Sequence, residues 1–504
     1  MSVQPRDFRG VVRPVSVVIM GVAVAMGLCA VIGALWDALA PDSSRPLGPM
    51  GPFDMRPGAS IALSSAIVLG LGAALYMYGR RHVTERITRR EALLSVSLIW
   101  VAAGLGGAVP FMLTVGMSPP DAIFESISGL TTTGATVITE IEATIPRPLL
   151  LWRSLIQWLG GMGIVVLFVA VFPNLGAGGK HLFRGEVPGA SPEGLRPRIA
   201  ETSFALWRLY AALTFVQIVL LKALGVNLFD AVNHSFTTMS TGGFSTYDAS
   251  IAAFESPAIE YVIAIFMLIA SVNYALYYAV QRTNNWKVFV RNIEFKAYVT
   301  VVLLSVAVMT LVNVELHGGF ADSLRNSVFM VATTISSTGY GTHGYSSYEP
   351  VALTVMILLM FIGGCSGSTA GGLKIERGVL MNKLTLAQIR RNYRPATIQL
   401  VRMGRTAVSS QVLADVAAFF MIYLGTLAAG MLFVSLVENA SVPTAFGAMV
   451  TCLSNMGPAP FHEVADNFAG YGGLSKLFFS FAMLLGRLEF FTLLTLLLPG
   501  FWRR

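Results

Sequence analysis

The residues able to do chemistry in this chain are hydroxyls, glycines and backbone carbonyls. Four runs share a pattern: ESISGLTTTGAT (125–136), NHSFTTMSTGGF (233–244), MVATTISSTGYG (330–341) and AMVTCLSNMGPA (448–459). Aligned on Gly134, Gly242, Gly339 and Gly457, the first three put two hydroxyl residues before the glycine, and each run has a pair there to compare. These are Thr132 and Thr133, Ser240 and Thr241, Ser337 and Thr338, and Asn455 and Met456. The glycines are 108, 97 and 118 residues apart, which marks an internal repeat. Glycine takes backbone angles that a Cβ hinders. Four extended runs around one axis would form a ring of carbonyl dipoles able to replace the hydration shell of a cation. The fourth run departs most, with Asn455 and Met456 in place of hydroxyls and Pro458 after the glycine, so the ring is only pseudo-fourfold.

A second cluster interrupts the apolar run 350–381. It comprises Gly363, Gly364, Cys365, Ser366, Gly367, Ser368, Thr369, Ala370, Gly371 and Gly372, with Lys374 just beyond. An unbroken helix of that run would be roughly 48 Å long, well over the hydrocarbon core. A break is therefore expected. Small and hydroxyl residues at membrane depth point to a pathway or to a helix-packing seam. GGLK lacks the GK[ST] of a P-loop, and GCSGS is not G-x-S-x-G. Arg487 lies inside the apolar run 474–500, where a charge is costly and functional by default. A pair with Glu489 is the structural alternative.

The remaining polar residues are less specific. His234, His343 and His462 fall in expected outer loops without metal-ligand spacing. Cys29, Cys365 and Cys452 fit no zinc site or disulfide framework. Ten acidic residues cluster on the same side: Asp121, Glu125, Glu140, Glu142, Asp230, Asp248, Glu255, Glu349, Glu463 and Asp466. They would concentrate cations or form an ordinary solvated face.

The elements that must position these groups are membrane helices. The chain is 54% hydrophobic and 12% charged, with a mean hydropathy of +0.66. Apolar segments fall near 14–40, 59–78, 92–115, 147–172, 203–224, 256–280, 293–316, 350–381, 410–436 and 474–500. Spanning backbone must satisfy its own hydrogen bonds, so these are expected to be about ten transmembrane helices. Alternate connections carry all but eight of the 35 lysines and arginines, which places both termini in the cytoplasm. That topology accounts for the net charge of +8 without nucleic acid. The basic run 376–409 also offers a docking face for a soluble partner. No small-residue cleavage site follows the first apolar run, so a retained helix is expected.

The resulting fold is an all-α membrane protein. Two extra N-terminal helices (1–91) precede four repeats of helix, pore loop and helix at 92–202, 203–292, 293–409 and 410–504. The short helices before the glycines would aim their partly negative C-terminal ends inward, favouring a cation.

The four runs, with GGCSGSTAGGLKIER (363–377) and LLGRLEFFTLL (484–494), resemble the Trk/Ktr/plant-high-affinity superfamily of potassium transporters. The resemblance covers nearly the whole chain, and the two extra helices make it most similar to the bacterial Trk-type subunit. The third run, with its Gly-Tyr-Gly, is also the closest to the potassium-channel pattern. The resemblance implies potassium uptake across the bacterial inner membrane, a K+ filter at the four runs and a gate at 363–372. Arg487 would face the pore beneath the filter, and Lys374 would close the lower end of the loop. It also implies a homodimer on a cytoplasmic nucleotide-binding regulatory subunit. The chain shows no dinucleotide fingerprint, so the nucleotide belongs to that partner and K+ is the only ligand expected here. In plant relatives a serine at the position of Gly134 goes with sodium preference. No enzymatic constellation is visible. The alternative is a secondary transporter coupling K+ to Na+ or H+, which would call for inverted repeats and a buried midplane pair.

Overall fold

The structure, a computed structural model, describes residues 8–39, 55–80, 88–170, 195–344, 348–394, 400–404, 406–461 and 467–502. Two long helices, Val12–Leu39 and Pro57–Gly79, pack along one another and against the first repeat. Their seam is built on small residues, with Ser65 donating to the carbonyl of Ala23 at 2.7 Å. Small side chains let backbones approach where lipid gives no hydrophobic drive.

Four units follow, each an outer helix, a short pore helix and an inner helix. The outer helices are Arg89–Val115, Leu195–Ala223, Ile293–Val312 and Ser410–Glu438. The pore helices are Pro119–Leu130, Leu228–Met239, Phe320–Ile335 and Val442–Ser454. Three of these start at a side-chain cap: Ser118 accepts from the Asp121 N–H, Asn227 from Asp230 and Ser441 from Thr444. Each such cap contributes about 1 kcal/mol. The all-α membrane architecture follows from these elements. Among the described residues, six helices are long and apolar enough to cross a membrane, or seven with a bent pair.

Three of the four inner helices are broken, one of them where the sequence calls for a break and two where it calls for an unbroken span. The first, Arg147–Ala170, is continuous. The run 256–280 is two helices, Pro257–Ala270 and Tyr274–Thr283, bent by 84°. Asn273 caps the second of them by accepting the Ala275 N–H at 2.8 Å. The run 350–381 breaks as its length demands, into Pro350–Ile362 and Ile375–Tyr393. The run 474–500 also breaks, into Gly473–Arg487 and Phe491–Leu497. There Glu489 and Phe490 take φ of +57° and +51°. Hydropathy does not register that break because Leu488 and Phe490 are themselves apolar.

Candidate functional site

Each pore helix ends in a left-handed turn. Thr132, Thr241, Ser337 and Asn455 have φ of 54°, 56°, 56° and 51°. The residue after each turn returns its N–H to the pore helix. Thr133 bonds the Ser128 carbonyl, Gly242 the Thr237 carbonyl and Thr338 the Thr333 carbonyl, each at 2.9 Å, and Met456 bonds Thr451 at 3.1 Å. The next residue is glycine in all four: Gly134, Gly243, Gly339 and Gly457. The first three have φ of 81°, 73° and 83°. Gly243, rather than the Gly242 of the sequence alignment, is thus in register with Gly134. Gly242 stands where the other runs have Thr133, Thr338 and Met456.

The four runs touch in chain order and close on themselves. A Cβ on Gly134 would lie 2.0 Å from the Gly242 oxygen, and one on Gly243 1.8 Å from the Thr338 oxygen. A Cβ on Gly339 would lie 2.9 Å from the Gly457 nitrogen, and one on Gly457 2.6 Å from the Gly134 oxygen. Each quarter therefore packs backbone to backbone on the next, with no room for a side chain between them. Asn455 also crosses from the fourth quarter to the first, donating to the Thr133 hydroxyl at 3.0 Å and to the Met483 carbonyl at 2.9 Å. The Tyr340 phenol, in the third quarter, hydrogen-bonds Thr237 of the second pore helix at 2.5 Å.

Buried polar struts stand behind the ring. Glu125 and Arg153 pair at 2.7 Å with relative exposures of 0% and 2%. Glu125 also accepts from the Thr136 hydroxyl at 3.0 Å and the Val137 N–H at 3.1 Å. Arg153 donates to the Ser245 carbonyl at 2.9 Å and lies over the Phe244 ring at 3.6 Å. Asp230 accepts from Thr246 and Tyr247, both at 2.5 Å. Glu125 and Asp230 are therefore internal braces, not members of an outer acidic face. His234 is likewise buried in the second pore helix and shares a 3.0 Å hydrogen bond with Ser245. His462, Glu463 and Asp466 lie outside the described residues. Arg153 and its neighbour Gln157 were missed in the sequence. Their only signal was two polar residues inside an apolar run.

Directly beneath lies the segment Gly363–Lys374. Gly371 donates to the Ser337 hydroxyl at 2.5 Å and Gly372 to the Ser454 carbonyl at 3.0 Å. The Thr369 hydroxyl reaches the carbonyls of Met239 and Ala270 at 3.2 and 3.1 Å. The loop thus engages the inner ends of three pore helices or their turns. On its other side Cys365 donates to the Ser271 carbonyl at 2.9 Å, and Ser366 donates from its N–H to Glu294 at 2.5 Å. Lys374, itself at φ +74°, bonds the Ala370 carbonyl.

Arg487 completes this layer. It is 3% exposed and donates to the Thr369 carbonyl at 2.7 Å and the Gly160 carbonyl at 3.4 Å. It ends its helix rather than sitting mid-helix, so the partly negative helix C-terminus favours it. Glu489 does not pair with it. That carboxylate pairs with Arg377 at 2.5 Å, and Arg377 also lies over the Phe419 ring. Among the described residues no group of His, Cys, Asp and Glu is placed to hold a metal ion. What the arrangement offers is a ring of backbone oxygens and hydroxyls above a loop pinned by two cations.

The TrkH family profile, described as cation transport protein, matches residues 58–500. A Trk system potassium uptake protein TrkH of Halomonas elongata is 38% identical over 450 residues, covering 88% of this chain and 92% of that protein. Its counterpart in Salmonella typhimurium is 39% identical over 456 residues, 89% of this chain and 93% of its own. The crystal structure of the potassium transporter TrkH from Vibrio parahaemolyticus superposes with a TM-score of 0.87 at 32% identity. It covers 99% of this chain and 100% of that one.

Proposed function

Because the chain belongs to the TrkH family of cation transport proteins, we propose that it is the membrane subunit of a potassium uptake system, with the four-run ring as its filter. It is a transport protein rather than an enzyme. The observation that carries the filter reading is the closed ring itself. Four glycine-ended turns, each at the C-terminal end of a pore helix, pack on one another in chain order. Carbonyls and hydroxyls at Thr132–Gly134, Thr241–Gly243, Ser337–Gly339 and Asn455–Gly457 replace the water around K+. The pore-helix dipoles add a field favouring a cation.

The loop 363–372, with Lys374 and Arg487, is the gate. Its bonds to three quarters must break before an ion passes. The helix Ile375–Tyr393, basic in its last turn, continues the loop and offers a lever to a cytoplasmic nucleotide-binding subunit. The homodimer, the bacterial inner membrane and cytoplasmic termini belong to the same proposal. Rubidium and potassium flux into proteoliposomes, with and without an imposed sodium or proton gradient, tests it. Flux down a potassium gradient alone is expected, whereas strict dependence on a second gradient would favour coupled transport.

A further inference from the structure

The second quarter differs from the first and third at one position. Thr133 and Thr338 each tie their strand by a hydroxyl–hydroxyl bond, to Thr131 at 2.7 Å and to Ser336 at 2.6 Å. Gly242 takes the same place and has no side chain to do so. Its backbone does not demand glycine, because the left-handed residues of this turn are Thr241 and Gly243. What excludes a side chain is Gln157 of the first inner helix. A Cβ on Gly242 would lie 2.4 Å from its Cδ, 2.5 Å from its Oε1 and 2.7 Å from its Nε2.

That amide fills the space and makes two bonds to the strand. Nε2 donates to the Gly242 carbonyl at 2.8 Å, and Oε1 accepts from the Phe244 N–H at 3.2 Å. Gln157 is fully buried, and Arg153, one turn earlier, holds Ser245 of the same strand. The Gly242 oxygen is also the atom on which Gly134 of the first quarter packs. We propose that Gln157 is a positioning residue for ion selectivity: it stands in for the missing threonine, and Gly242 is glycine in order to admit it. This rests on the reading of the ring as a filter and deepens it.

The test uses the full chain in proteoliposomes, reading rubidium uptake and the ratio of potassium to sodium uptake. Four variants are compared: Gln157→Glu, Gln157→Ala, Gly242→Thr and the double Gln157→Ala/Gly242→Thr. Gln157→Glu keeps the shape and the acceptor for Phe244 but loses the donor to Gly242. Gln157→Glu is expected to lower the potassium-to-sodium ratio by about tenfold, the effect of one lost hydrogen bond, and Gln157→Ala, which loses both, by at least as much. Gly242→Thr alone should nearly abolish rubidium uptake, and the double variant should regain uptake and most of the ratio. A merely structural role would lower yield and melting temperature and leave the ratio alone, which overturns the proposal. So does a double variant worse than Gly242→Thr. If Gln157→Ala does not fold, Gln157→Glu decides. An unmodified chain with no potassium preference would instead remove the filter reading itself.

Discussion

Arg487 and Thr369 are joined by a 2.7 Å hydrogen bond across 118 residues of chain, guanidinium to carbonyl. The bond ties the end of the last inner helix to the loop beneath the third quarter. The same side chain reaches Gly160 of the first inner helix, so one cation links three repeats. Removing it takes away a charge-assisted bond and one of the two positive charges below the ring.

Arg487→Ala is therefore expected to raise uptake. A bond to a charged group contributes about 1.5–3 kcal/mol, so the pinned loop loses roughly tenfold or more in population. Rubidium uptake into proteoliposomes, with and without the regulatory partner, reads this directly. Unchanged flux and unchanged dependence on the partner would remove Arg487 from the gate.

Gly339→Val should destroy potassium preference while leaving the helices inserted. The left-handed backbone alone costs about 1–2 kcal/mol for a residue with a Cβ. The added carbon would also lie 2.7 Å from the Pro458 ring and 2.9 Å from the Gly457 nitrogen. Gly134→Ser meets the Gly242 oxygen in the same way and should raise the sodium share of uptake. Retained potassium selectivity in both variants would show that the ring is not the filter.

Much of this site was legible in the chain, and the misses have physical causes. The repeat showed because glycine after hydroxyls recurs where helices should be. The break at 363–374 showed because a helix that long overshoots the bilayer. Gly242 and Gly243 are adjacent, so composition cannot choose between them, and the alignment on Gly242 is one residue out of the register that the turn hydrogen bonds set. Glu125 and Asp230 read as outer acids because charge carries no information on burial. Their partners, Arg153, Thr246 and Tyr247, come from other segments. The break after Arg487 was invisible because it is lined by leucine and phenylalanine.

The pair Glu125–Arg153 supports a stability measurement. Removing one member leaves a buried charge alone, at a cost of about 3–5 kcal/mol. Arg153→Met should lower the melting temperature in detergent steeply. The double Glu125→Gln/Arg153→Met should recover a good part of that loss, and equal destabilisation in both would mean that the pairing carries little.

Cys365 reports on the loop. All three cysteines are buried, Cys365 completely. In a chain carrying Cys29→Ser and Cys452→Ser, a membrane-permeant thiol reagent should label Cys365 slowly at rest. Labelling should quicken when the partner activates transport. A rate that is the same in both conditions would mean that the loop stays in place.

In the connection before the third pore helix, His317 stands ring to ring with His343 at 5.1 Å. Burial, and then the His343 charge, lowers the His317 pKa from its ordinary 6.5. The unfolded chain thus binds the proton more readily than the folded one. Stability from this contact is present above pH 6.5 and is lost as pH falls below it. The melting temperature should drop between pH 7.5 and 5.5 by less in His317→Gln than in the unmodified chain.

The closed ring of one chain has a genetic consequence. In an assembly of four identical subunits, any substitution at the ion path arrives four times at once. Here it arrives once, and the other three quarters are untouched. Variation can therefore adjust the ring one quarter at a time.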